Sequence, residues 1–357
     1  MEKGQGISEF SLPQEIIFQI LKQLPVKSLL RLRCVSKLWC SIIDDPFFVQ
    51  SHHNRSHTRP GGISILHSRI NDDDDTCRLE LADPEVDSVQ HILNLPHLRY
   101  RNLQYHNGLI CIENCILNPS TRECIIIPPP SISKTKASFE EYFLGFDSSA
   151  NKPKVLYRRS IITKLHPPVR LECKILTLGT NSWRDIDGSI NSYWKSSLSC
   201  CIAGVIYCIY CLDRKSDENV LMAFEVEHEK FSVMSLPEGA NSACSLVQVG
   251  ERLALMDFDR KTIWISEDCH KQLWNKQSLK MMYKGEPLIN KYGVSMIPYG
   301  TIHTSEILVG LFFSSKETPK LSYYDLESKK LRILKKEAPH VRSCTKYVES
   351  LFRLKGL

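Results

Sequence analysis

No run of about 18 apolar residues occurs in this 357-residue chain, so nothing in it reads as a membrane-spanning helix. Met1-Glu2-Lys3-Gly4-Gln5-Gly6 lacks the apolar stretch of a secretory signal, and Leu354-Lys355-Gly356-Leu357 holds no cysteine to prenylate. These absences lead us to expect a protein of the cytoplasm, the nucleus or both. Phosphate-cradling loops are missing too: neither G-x-x-x-x-G-K-[ST] nor a strand-borne G-x-G-x-x-G is found. Without a G-x-S-x-G elbow or an H-E-x-x-H pair, the common hydrolase and metalloprotease signatures are absent. The net charge of +6 is modest and is not concentrated in a basic helix. Lys329-Lys330 and Lys335-Lys336 flank apolar positions of a predicted hairpin, where lysine discourages edge pairing, so nucleic acid is not the expected partner.

Metal chemistry is equally thin. The 14 cysteines sit mainly inside apolar runs such as Cys111-Ile112 and Cys200-Cys201-Ile202, which suits reduced core thiols. Cys208 and Cys211 form one C-x-x-C, but residues three apart in a strand point to opposite faces, and no second pair completes a zinc site. Asp72-Asp73-Asp74-Asp75 lacks the spaced ligands and glycine of a calcium loop and reads as a solvated turn. His53 and His57 fall in a segment without helical apolar patterning and are expected to be solvated loop residues. No metal and no cofactor are expected.

What the chain does have is a dense apolar helical segment near its start. Ser11 and Gln14 have capping-box spacing, and Pro13 is tolerated in a first turn. Ile16, Ile20 and Leu24 recur every four residues with Ile17 and Leu21 alongside, giving a stripe more than about 100° wide. Pro25 ends this helix. Ser28 is a candidate cap for a short second helix, Ser36 for a third carrying Trp39, Ile42 and Ile43 on one face, and Asp45-Pro46 reads as N-cap and N1 of a fourth element. So many apolar faces in so short a segment cannot all be buried on each other, so a partner is needed.

The run Leu12-Pro13, Glu15, Ile20-Leu21, Leu24-Pro25, Lys27-Ser28-Leu29, Arg33-Cys34-Val35, Lys37, Trp39, Ile43 and Pro46-Phe47 resembles an F-box, the module that docks on the Skp-type adaptor of a cullin-RING ubiquitin ligase. The resemblance implies adaptor contacts by Leu12, Pro13, Ile16, Ile20, Leu24, Pro25, Leu29, Val35 and Trp39.

Beyond this segment the chain becomes strand-rich. Runs such as Ile63–Leu66, Gly108–Ile112, Val205–Ile209 and Leu253–Met256 are bounded by turn formers. A weak repeat combines a turn and buried strand, as at Asn107–Ile112, Ala203–Ile209 and Val249–Leu255, with a hairpin, as at Ile116–Pro128, Ile175–Ile186, Ala223–Pro237 and Tyr323–Leu334. Copies recur at about 40–60 residues, the range of propeller blades. Asn107-Gly108-Leu109-Ile110-Cys111, Asn118-Pro119-Ser120-Thr121-Arg122, Leu144-Gly145-Phe146-Asp147, Ser182-Trp183-Arg184, Gly204-Val205-Ile206-Tyr207 and Tyr347-Val348-Glu349-Ser350-Leu351 resemble the F-box-associated domain of a large plant family, related in shape to kelch propellers. The kelch diglycine is not repeated here.

The expected architecture is therefore an α+β multidomain chain: a flexible start (1–10), a small helical F-box (11–51), a linker (52–61) and an all-β, propeller-like domain (62–353). Closing the ring should bring Ile63–Leu66 near Tyr323–Leu334, with Tyr347–Leu357 as the closing segment. The resemblance implies a non-catalytic substrate receptor of an SCF-type ligase, joined through its adaptor to cullin and RING subunits and presenting its β domain to a protein target. Two alternatives stand beside it. One makes the propeller a glycan or small-molecule sensor, with Tyr193-Trp194 and Trp264 as aromatic platforms. The other is a propeller enzyme using the carboxylate pairs Asp185/Asp187 or Asp257/Asp259.

Overall fold

A computed structural model describes residues 12–354 apart from 72–75, 84–88, 96–102, 132–138, 163–168, 181, 188–198, 212–218, 242–243, 270, 281, 284–285, 288–294, 302–304, 313–319 and 335–340. The Asp72–Asp75 run, Ser11, Tyr193-Trp194 and Lys335-Lys336 lie outside the described residues.

Four helices open the chain: α1 (Gln14–Lys22), α2 (Val26–Leu32), α3 (Lys37–Asp44) and α4 (Pro46–Ser56). Pro13 and Pro25 occupy the positions before α1 and α2, and neither start carries a side-chain cap, so Ser28 lies inside its helix rather than at its head. Ser36 does cap α3 by accepting from Leu38 N–H, and Asp45 caps α4 by accepting from Phe48 N–H, with Pro46 at the first helical position. The helix α4 extends to Ser56, so the first half of the segment expected as linker is helical.

Six four-stranded antiparallel sheets follow, together with a two-residue hairpin, Met282–Tyr283 with Glu286–Pro287. Five blades are built from consecutive strands within 103–126, 139–186, 200–235, 245–278 and 295–333. The remaining blade combines Ile63–Asn71, Thr76–Ala82 and Val89–Leu95 with Val341–Val348 from the far end of the chain. Every interface between successive blades has its own apolar core. Between the first two blades, for example, Leu66, Leu79, Ile110, Leu117 and Tyr347 are buried together. The seam is filled the same way, by Ile65 with Leu308, Leu321, Tyr323 and Cys344. A six-bladed propeller closed by its C-terminal strand is thus the architecture.

The ring closure expected from the sequence is present, with a different strand making the bond. Ile63–Arg69 pairs with Val341–Val348, whereas Tyr323 reaches the seam only through side-chain packing. An unpaired edge in the first blade is thereby removed. The sequence repeat followed the blades: Asn107–Ile112, Ala203–Ile209 and Val249–Leu255 are the turns between innermost and second strands, and the four hairpins are outer strand pairs. Trp264 is core, 3% exposed, and is no surface platform for a glycan. Asp257 is buried and accepts from Arg260 N–H at 2.9 Å, while Asp185 is exposed beside Lys174; both belong to turns and strand edges rather than to a carboxylate pair aimed at a substrate.

Candidate adaptor-binding face

The helical module divides its apolar residues between two sides. Ile17, Leu21, Val26, Leu29, Ile42, Ile43 and Phe48 form its core, joined by Leu351 from the C-terminal tail. The stripe predicted along α1 is therefore split. Ile17 and Leu21 point inward, while Leu12, Ile16 and Ile20, spaced by four, remain 57%, 47% and 50% exposed. Pro13 and Pro25 are exposed, Val35 is exposed between α2 and α3, and Leu24 and Trp39 are half-buried against the core.

Leu29 is the exception among the nine residues assigned to the adaptor. It is fully buried, so it holds α2 against α3 and cannot touch a partner. Leu38 and Phe47 were missed. Phe47 is 73% exposed and its ring lies 6.0 Å from that of Phe18. The signal for it was available: adjacent residues on a helix are about 100° apart, so with Phe48 committed to the core its neighbour has to face elsewhere.

The tail that follows the closing strand fixes the module to the propeller. Glu349 accepts from Val26 N–H at 3.1 Å, supplying the helix-start partner that α2 lacks locally. It also pairs with Arg59 and accepts from Ser56 Oγ at 3.4 Å. Its backbone carbonyl accepts from His53 Nδ1 at 3.1 Å, and its N–H donates to Gly62 O at 3.2 Å. Blade two holds the rest of the tail. Asn118 Nδ2 donates to the carbonyls of Ser350 and Phe352 at 3.0 and 2.7 Å, Tyr347 OH donates to Asn118 Oδ1 at 2.9 Å, and Glu123 accepts from Leu354 N–H at 2.6 Å. Gly108, at φ +78°, lets Ser350 pass: a Cβ there would sit 2.0 Å from that of Ser350.

His53 is buried in this junction, not solvated as expected, and its neighbour His52 is buried with it, whereas His57 is exposed. His52 Nε2 donates to Leu24 O at 2.8 Å, leaving a buried Nδ1 with no partner among the described residues. Desolvation lowers both imidazoles to a pKa of about 4, and His57 likewise. A histidine whose folded pKa lies below its unfolded value favours folding above the unfolded pKa of about 6.5, and that contribution is lost as pH falls towards 4. The junction should accordingly weaken by about 2 kcal/mol per buried histidine at pH 5. Denaturant unfolding monitored at Trp39 between pH 7 and pH 5 checks this, and His52→Gln should flatten the profile; a flat profile in the parent chain would contradict it.

A helical module with an outward apolar face is thus pinned to a closed β-ring by the chain's own tail. The F-box domain family matches residues 10–50, and the F-box associated beta propeller domain family matches residues 64–354. The chain belongs to the F-box proteins that carry an F-box-associated β-propeller. It is 29% identical to the Arabidopsis thaliana protein At4g38870 over 91% of this chain and 82% of that one. With F-box protein At1g30790 of the same plant it shares 27% identity over 91% of this chain and 90% of the other. Among solved structures it is similar to puromycin hydrolase, at 12% identity and a TM-score of 0.48 over 80% of this chain and 47% of that one.

Proposed function

We propose that this protein is the substrate-recognition subunit of an SCF-type ubiquitin ligase and has no catalysis of its own. The observation that carries the reading is the outward set Leu12, Ile16, Ile20, Val35, Leu38 and Phe47, large apolar side chains left in water on a module whose core is already complete. Burying each against a partner is worth about 1.5–3 kcal/mol, which favours a permanent docking surface. F-box domains generally bind Skp-type adaptors, and through that adaptor a cullin and a RING subunit would join. The propeller would hold a protein target near the charged conjugating enzyme, raising its effective concentration. The setting is the cytoplasm or the nucleus.

Reconstitution tests the proposal. The full chain mixed with adaptor, cullin and RING subunits should co-elute as one assembly and support ubiquitin transfer within it. A chain that stays outside the assembly while remaining folded would overturn the reading.

A further inference from the structure

The innermost strands of the propeller enclose a channel containing a cavity of about 470 Å³. Its wall comes from inner strands of several blades, including Gln104, Cys200, Val247, Thr301 and Lys346, and at the F-box end from His57 and Thr58. Lys346 stands out chemically. It lies on the closing strand opposite Ile65, and among the described residues its ammonium has no hydrogen bond and no ion pair. Burial pushes its pKa down, and its charge helps to hold His53 and His57 neutral.

Among the described residues of the wall this cation has no buried counter-charge. Burial raises the thiol of Cys201 to about 12, and those of Cys200 and Cys344 rise as well, so all three are neutral. Glu251, a carboxylate on the wall, is exposed to solvent. The carboxamides of Gln104 and Gln248 are committed, donating to Tyr142 O at 2.6 Å and Gly250 O at 2.8 Å. Thr301 and Thr345 line the same space, as does Thr58, whose hydroxyl is already bonded to Arg55. An unpaired, partly desolvated ammonium costs stability, and a fold keeps such a group most readily where an anion completes it. The volume is that of a small-molecule site.

We propose that the central channel binds a small free oxyanion, a carboxylate or a phosphate, with Lys346 as its counter-charge. The site is independent of the adaptor face. A ligand there would contact the strand that both closes the ring and leads into Glu349, three residues on.

The test uses the full chain with its adaptor bound, titrated separately with inorganic phosphate and with succinate while the thermal midpoint is followed. At least one anion should raise the midpoint by several degrees, and which one does so distinguishes phosphate from carboxylate. Lys346→Met should raise the ligand-free midpoint, because it removes an uncompensated charge, and should abolish the response; Lys346→Arg should keep the response. A second readout needs no variant: the effective anion should protect Lys346 of the parent chain from acylation, read by mass spectrometry. The proposal is overturned if neither anion shifts the midpoint or protects Lys346, if Lys346→Met responds like the parent, or if it folds with a lower ligand-free midpoint.

Discussion

Replacing Glu349 by Ala is expected to free the helical module from the propeller while leaving the ring intact. One carboxylate serves α2, Arg59 and Ser56, and its side chain and that of Arg59 are only 16% and 11% exposed. Removing one partner of a largely buried charge pair leaves the other uncompensated, and here it also orphans the first N–H of α2. The combined cost should be about 3 kcal/mol, or a roughly hundredfold rise in opening of the module. Glu349→Gln keeps an acceptor for Val26 N–H and should cost less. Native-state hydrogen exchange reads the outcome. In Glu349→Ala, amides of α1 to α4 should exchange about 100-fold faster, whereas those of Leu253–Met256 and Ile307–Leu311 stay protected. Uniform acceleration through the propeller, or no change in the helices, would contradict the assignment of Glu349 as the pin.

The second large effect concerns binding without stability. Ile16→Asp with Ile20→Asp places two charges on the outward side of α1, where neither parent side chain contributes to the core. Thermal unfolding should move little, since surface changes away from packed features usually stay within about 0.5 kcal/mol. Adaptor affinity should fall at least about 100-fold, because truncated interface anchors cost about 2 kcal/mol or more and a buried unpaired carboxylate adds to that. Leu29→Ala is the counterpart. Its cavity should cost about 2–5 kcal/mol of module stability and lose binding only by unfolding. Calorimetric titration together with thermal melts separates the two classes; an Ile16/Ile20 variant that binds normally would remove α1 from the interface.

Much of this architecture was legible because it is local. Ser36 and Asp45-Pro46 declare their helix boundaries through short-range hydrogen bonds and a fixed φ angle, and both are found where the spacing puts them, while α1 stops at Lys22, ahead of Pro25. Asn107-Gly108 and Ala203-Gly204 mark tight turns through positive φ, which is why the repeat tracked the blades. The inner and outer sides of α1 were not separable, since Ile16 and Ile17 look alike until the neighbours of α1 are known. The buried side of α4 was invisible for another reason. After Phe48 it is built from His52, His53 and Ser56, and a reading based on apolar periodicity does not register buried polar groups. The pin itself joins residues 323 apart, a separation no local pattern encodes. Asn118, Ser120 and Tyr347 could be quoted as family motifs, yet only the fold explains them: they form one hydrogen-bonded group that holds the tail.

One end of this molecule is expected to dock while the other remains available. Side-chain oxidation footprinting of the full chain, alone and with its Skp-type adaptor, tests this most directly. The account predicts that the adaptor protects Leu12, Ile16, Ile20, Val35, Leu38 and Phe47, and leaves Ile126, Val233 and Leu273 on the outer strands of the propeller as reactive as before. Protection of the propeller residues, with the six helical side chains unchanged, would contradict it.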